Sequence, residues 1–491
     1  MRDITLPEFN EQALRNMFAN SADVVIESYV YGREDNPIPV LLMYCEGLAD
    51  AKRINEQVLP HLHAMLERLA VFDSDSLNQS KTLQLHPMAG PNLMESIMLR
   101  VYGGELVLFF TEAGLVYALN LANPPNRTPE ESSTEVSVKG PRDAFTEDVT
   151  SNVALIRKRM KTSSLCCEKF VIGERSHTTV AMLYIEDIAQ PEVVEEARRR
   201  LTVLDVDGLL SSAQLEEAMA DRAFSLFPLI GYVGRPDYVA DSLLRGRFAV
   251  LVDGSPMAVM APTNLLEILK SPEDVHLPFY YVALERVLRL FGMCVALFLP
   301  GFWIAVSGFN LDQIPFPLLA TISSARIGLP LSGPMDFFLM LVLFELFREA
   351  GLRLPKAVGQ TVAVVGGLII GDAAISAGIT GPVTLVVAAL STMSMFTLIS
   401  QSLAGSITVL RFLILVVCFM FGMYGFMLSV VGLALYLSTL ESFGVPYLTP
   451  LSPPKFREMA AGVLAIPWKK QKRRPSFLHP EDPTRKGGES H

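Results

Sequence analysis

Two kinds of hydrophobic pattern divide the chain. Up to residue 286 apolar positions come in short runs or alternate with polar ones, and beyond it they come in long stretches. In the first part, runs at 24–30, 39–43, 106–110, 170–172, 180–185 and 248–252 predict strands. Helical spacing at 54–69, 144–160 and 193–201 predicts helices between them. Strands alternating with helices predict an α/β domain.

Two stretches of that domain look alike. LLMYCEGLAD at 41–50 and AMLYIEDIAQ at 181–190 each precede a helix, with Tyr44 and Glu46 matching Tyr184 and Glu186 at an offset of 140. GELVLFFTEAGLVYALN at 104–120 and GRFAVLVDGSPMAVMAP at 246–262 both read strand, turn, strand, at an offset of 142. Nearly equal offsets imply an internal duplication joined through the polar stretch 123–139. The expected organisation is α/β subdomains at 1–135 and 136–275, a helical region at 276–445 and a basic tail at 446–491.

In the second part, apolar segments at 287–309, 361–379, 382–399 and 412–440 approach the length of about 20 residues that crosses a bilayer. The stretch 311–347 is apolar but broken by Pro315, Pro317, Pro330 and Pro334, and it carries Asp312, Arg326, Asp336 and Glu345. Basic clusters at Arg286 and Arg289, at Arg348, Arg353 and Lys356, and at 469–474 all favour the cytosolic side. Both ends on one side require an even number of crossings, whereas a simple count gives five. Splitting 412–440 near Gly422 and Gly425, or making 311–347 re-entrant, restores an even count.

Charge sharpens the division. Residues 287–491 hold 15 Lys and Arg against 10 Asp and Glu, and residues 1–286 hold 26 against 41. The acidic front argues against nucleic acid as a partner. Mean hydropathy over the 491 residues is +0.35, which fits a membrane-embedded part with lipid as its surroundings. The start, MRDITLPEFNEQ, lacks the apolar run of a secretory signal, so the α/β part is expected in the cytosol. Five cysteines without framework spacing predict no disulfide scaffold. No nucleophile–base or metal constellation stands out, so neither enzymatic activity nor a cofactor is expected. Glu46 and Glu186 read as solvated or capping residues, and the basic runs 157–161 and 198–200 as exposed helix faces.

Longer blocks carry a resemblance. GRFAVLVDGSPMAVMAPTNLLEILKSPED (246–274), FREAGLRLPKAVGQTVAVVGGLIIGDAAISAGI (347–379), SFGVPYLTPLSPP (442–454), GPRDAFTEDVTSNVALIRKR (140–159) and the WKKQKRRP tail near 468–475 resemble the A subunit of GerA-type nutrient germination receptors of spore-forming bacteria. The resemblance implies a polytopic protein of the spore inner membrane acting with a transporter-like B subunit and a lipoprotein C subunit. It also implies an A subunit that self-associates into a nutrient-gated cation channel. The chain departs from the family in two places: the segment 329–336 ends in Asp336 where Glu-Ala is frequent, and Asp372 stands where Gln is frequent. A paralogue that amplifies germination, a secondary transporter and an anchored signalling scaffold are the alternatives.

Intramembrane carboxylates are expensive on insertion scales, roughly 2.5–3.5 kcal/mol for Asp at a helix centre, and so tend to face water or a partner. Asp372, Asp336 and Glu345 are therefore the candidates for lining an ion path. Gly366, Gly367 and Gly371 are the candidates for close helix packing. Against these stand plainer expectations: Glu345 pairs with Arg348, Arg326 pairs with Asp336, and Arg411 snorkels at a span entrance.

Overall fold

The computed structural model describes residues 10–33, 36–68, 83–125, 139–353 and 371–485. Its first unit is a five-stranded sheet of β1 (Val24–Arg33), β2 (Asn36–Cys45), β3 (His86–Met88), β4 (Leu106–Phe110) and β5 (Leu115–Leu119), in the order β1-β2-β4-β5-β3. The second is a sheet of β6 (Leu165–Ile172), β7 (Thr178–Ile185), β8 (Gly231–Val233), β9 (Phe248–Val252) and β10 (Ala258–Ala261), in the order β6-β7-β9-β10-β8. Strand for strand the two orders are the same, and every pairing within both sheets is antiparallel. The offsets of 140 and 142 superimpose the C-terminal end of β2 on that of β7, and β4 on β9.

Each sheet is covered on both faces, which explains why LVLFF and FAVLV are apolar throughout. Alternate side chains point to opposite faces. In the first sheet Leu41, Met43, Val107 and Phe109 pack with Ile97 and Val101 of a helix at Leu93–Val101. Val40, Leu42, Leu108 and Phe110 meet Ile54, Val58 and Leu62 on the other side. The second sheet repeats this arrangement: Leu183 and Leu251 lie under α1 (Val149–Arg157), while Met182 and Val250 lie under α2 (Pro191–Val203). Continuous apolar strands are usual in buried parallel sheets; here antiparallel strands sandwiched between helices produce them.

The helical part consists of α3 (Phe279–Phe309), α4 (Phe316–Ala325), α5 (Gly333–Arg353), α6 (Pro382–Met395) and α7 (Gln401–Ser438). Two of these, α3 and α7, are long and apolar enough to cross a membrane. The chain leaves the second unit along α3, whose far end is Phe309. The first arm of α7 runs beside α3 in the same direction, with Gly292 facing Thr397, Gly301 facing Ile414 and Cys418, and Gly422 facing Phe309.

At Gly422 the backbone takes φ 59° and ψ −137°, outside any helical region. Eight residues of straight helix would span about 12 Å, yet a Cβ on Gly425 would stand 2.5 Å from the carbonyl oxygen of Val417. The helix therefore folds back on itself. Phe426 then meets Phe298 and Phe302, and Tyr436 arrives beside Phe227 of the second unit. α5 returns from Pro334, against Gly308 at the far end, to Arg348, against Thr408 near the start of α7. α6 returns from the far side, where Gly381 lies near Leu329, to Ser391 against Ala296. Among the described residues, α3 and the first arm of α7 run away from the α/β units, and α5, α6 and the second arm of α7 run back toward them. Of the two alternatives for the apolar stretches, the structure shows the split of the last one at Gly422.

Candidate functional site

Buried charge gathers in three places: inside the bundle, between the two α/β units, and where the bundle joins the second unit. Inside the bundle, Asp336 sits in the first turn of α5 at 1% exposure, and among the described residues neither carboxylate oxygen has a hydrogen-bond partner. The expected pair with Arg326 does not form. That guanidinium donates instead to the carbonyl oxygen of Ser307 at 3.5 Å, and its Nη2 is unbonded. The hydroxyl of Ser307 and the indole N–H of Trp303, both on α3, also lack partners. Five buried polar side-chain atoms thus go unsatisfied in this far part of the bundle, whereas each such atom ordinarily costs about 1–3 kcal/mol.

Glu345 has a different environment. One carboxylate oxygen accepts from Arg411 and the other from Arg348, whose Nη2 also reaches Thr408 at 3.1 Å. Arg411 is fully buried and lies over the ring of Phe412, so it is an interior ion-pair partner and does not snorkel. With two arginines on one acid the cluster carries net positive charge, and Glu345 is spent on structure. Asp372 is exposed, on the helical residues 371–376. Gly371 is buried with Leu385 of α6 in contact range, so its close packing is made within the chain. Gly366 and Gly367 lie outside the described residues.

The two α/β units are locked by an ion pair. Arg157, at the end of α1, is fully buried and makes two hydrogen bonds of 2.8 Å to Asp23. It also donates to the carbonyl of Leu165 and lies 4.3 Å over the ring of Tyr102. Burial alone would lower its pKa, but Asp23 outweighs burial and holds it above the ordinary value. This corrects the reading of 157–161 as an exposed face. Glu46 and Glu186 both serve the same interface: Glu46 receives Lys169 at 2.6 Å and Glu186 receives Asn20 at 3.1 Å.

Where the second unit meets the bundle, Glu267 collects Lys270 at 2.7 Å, Tyr238 at 3.0 Å and Arg245 at 3.3 Å. The returning chain is built into this side. Thr263 donates its N–H to Ser442, Leu265 donates to Tyr447, and Phe443 packs edge-on against Phe248. Farther along, Arg485 of the tail reaches Asp241 at 2.9 Å.

Beside it, Glu273 accepts from Arg235 and from the backbone N–H groups of Lys139 and Gly140. Burial would raise its pKa, but Arg235 and the two N–H groups prevail and bring it to about 2. A folded-state pKa below the unfolded one contributes stability above about pH 4.5 that is lost as pH falls toward 2. Glu273→Gln should therefore lower stability by on the order of 3 kcal/mol at pH 6. The deficit should shrink by about half near pH 3, as followed by denaturant unfolding. A deficit that stays constant across this window would remove the carboxylate's role.

The architecture defines a class: duplicated α/β units carrying a helical bundle with two helices of membrane-crossing length. Residues 12–477 match the family model described as Bacillus/Clostridium GerA spore germination protein. The chain belongs to that family. It is 40% identical to spore germination protein XA of Bacillus anthracis, over 97% of each chain. It is also 33% identical to the uncharacterized membrane protein YfkQ of Bacillus subtilis, over 95% of this chain and 90% of that one. The N-terminal domain of the A subunit of the Bacillus megaterium spore germinant receptor GerK3 aligns at 26% identity and a TM-score of 0.40, over 53% of this chain and 96% of that one.

Proposed function

We propose that the protein is the A subunit of a GerA-type germination receptor, set in the spore inner membrane with its α/β units on the cytosolic side. In this reading its bundle, assembled with further copies and with B and C subunits, conducts cations when a nutrient is sensed, and the chain catalyses no reaction. The outer surface of the bundle supports a lipid setting: Val409, Val416, Met420, Met427, Val431 and Leu435 on the two arms of α7 are all exposed. A bare apolar band of this size is what a bilayer covers.

The observation that carries the ion path is Asp336. A buried carboxylate with no hydrogen-bond donor is unstable as a structural element, whereas it suits a site where hydrated cations pass. Glu345, already held by two arginines, does not share that role. Asp372, exposed on the bundle, is placed to meet a neighbouring subunit or water.

Asp336→Asn should lower cation flux through purified protein in proteoliposomes by at least about fivefold. Attraction for a monovalent cation at 4 Å is roughly 1 kcal/mol in water and larger at a buried carboxylate. Protein level and helical content should stay unchanged. Wild-type flux in this variant would favour an anchored scaffold, in which the intramembrane acids are dispensable.

A further inference from the structure

The junction between sheet and bundle holds a small cleft, open to solvent on one side, with a volume of about 50 Å³. One wall is the edge of the second sheet and the other is the start of α7, at Ser400 and Ser402. One water needs about 10–15 Å³ on the same measure, so the cleft has room for a small polyatomic ion.

The charge inside it does not balance. Arg247, Lys270 and Glu267 line the cleft. Arg247 is 1% exposed and donates its Nε to the carbonyl of Pro262 at 2.9 Å. Its Nη2 lies 3.2 Å from Glu267 in a geometry that makes no hydrogen bond, and its Nη1 has no hydrogen-bond partner. Glu267 is meanwhile shared among Lys270, Arg245 and Tyr238. Asp241 offsets Arg245 and Arg485, so across the whole cluster four cations face two anions. Burial, only partly opposed by Glu267, and then the neighbouring arginines 245, 286 and 247, push the Lys270 ammonium down to about 8. A buried guanidinium that meets its carboxylate without a hydrogen bond, beside an excess of positive charge, has N–H groups to spare for a further anion.

The rest of the lining supplies donors of the right kind. Ser400 caps α7 by accepting from Leu403 at 3.3 Å, which leaves its own proton free to give. The first backbone N–H groups of a helix have no partner within it, and they favour an anion placed before them. Here that helix start and the half-bonded Arg247 face the same cleft.

We propose that this cleft is an oxyanion site that takes a phosphate group between the second α/β unit and the first turn of α7. A planar guanidinium, an ammonium, a hydroxyl donor and a helix start together match the several oxygens of phosphate. The same phosphate chemistry comes from two sources, a free phosphate in the cytosol or the headgroup of an anionic lipid at the membrane face. Either would tie the sheet edge to the bundle. The site does not depend on ion flow through Asp336, because no residue is common to the two places.

The test uses the full chain in nanodiscs of phosphatidylcholine, with thermal unfolding followed as inorganic phosphate is added against potassium chloride of equal ionic strength. Phosphate should raise the melting temperature saturably by about 2 °C or more. Its affinity should fall roughly tenfold in Lys270→Gln and in Arg247→Gln, each of which removes a charge-assisted hydrogen bond. Lys270 is the less buried of the two, so its variant keeps the test open if Arg247→Gln does not fold.

If phosphate has no effect but discs containing phosphatidylglycerol give the same rise, lost in the variants, the site stands and its occupant is the lipid headgroup. No stabilisation in either arm overturns the proposal. So does stabilisation that chloride matches, or that both folded variants keep.

Discussion

Replacing Arg157 by Ala should destabilise the full-length protein in detergent by about 3–5 kcal/mol, because it leaves the Asp23 carboxylate buried without its partner. Asp23 is 2% exposed, and among the described residues its carboxylate meets, besides Arg157, the thiol of Cys45, a weak donor at 3.5 Å. The cation–π contact with Tyr102 and the hydrogen bonds to the carbonyls of Thr162 and Leu165 are lost at the same time. Asp23→Ala should be comparably severe, since it strands the guanidinium. Combining Asp23→Leu with Arg157→Met should recover most of the loss, because an apolar pair of similar volume needs no mutual charge. Denaturant unfolding of the three variants measures this directly. A single variant that loses under about 1 kcal/mol would mean that water reaches the pair, as it does at surface bridges.

The second large effect is expected at the reversal of α7. Gly422 adopts a conformation available to almost no residue with a Cβ, and a Cβ there would come within 2.9 Å of the Phe309 ring. Backbone strain of roughly 1–3 kcal/mol and overpacking of a similar size should act together in Gly422→Val. The consequence is topological as well as energetic. The second arm brings the Tyr436 hydroxyl to 2.9 Å from the N–H of Leu226, and Thr439 into a hydrogen bond with Arg222. In a background without the five native cysteines, Leu226→Cys with Tyr436→Cys should be joined readily by a short bifunctional thiol reagent, which spans the room left by the tyrosine ring, and Gly422→Val should abolish the cross-link. Gly405 is the control on the same helix, since nothing lies within 4 Å of its Cβ position. Gly405→Ala should leave the cross-link and the stability intact. A Gly422→Val protein that still cross-links would show that the turn does not need glycine.

Much of the α/β part was legible because strands buried on both faces are written as unbroken apolar runs. The duplication was legible for a related reason: two units with the same layers need the same residue types at the same spacing. Arg157 shows where that reading ends. Its run of basic residues looks like a solvated helix face, and its partner Asp23 is 134 residues away in the other unit. Nothing in local spacing distinguishes such an arginine from an exposed one. Arg411 was misjudged in the same way, since Glu345 comes from a different helix. Asp336, by contrast, was recognisable as an acid in an apolar, Pro-broken stretch. Only the structure shows that Arg326 does not satisfy it.

By itself the sequence determined the two-part character of the protein, the positions of most strands and long helices, the internal repeat and the family. Those properties follow from composition and periodicity, which are local and need no knowledge of neighbours. The tertiary structure alone decided that the sheets are antiparallel, that the last apolar stretch is a hairpin, which charges are paired, and that Arg247 faces a cleft with too few anions. Each of these depends on which distant segments come together. Pairing energies and steric room are set between segments, whereas hydrophobic pattern is set within them.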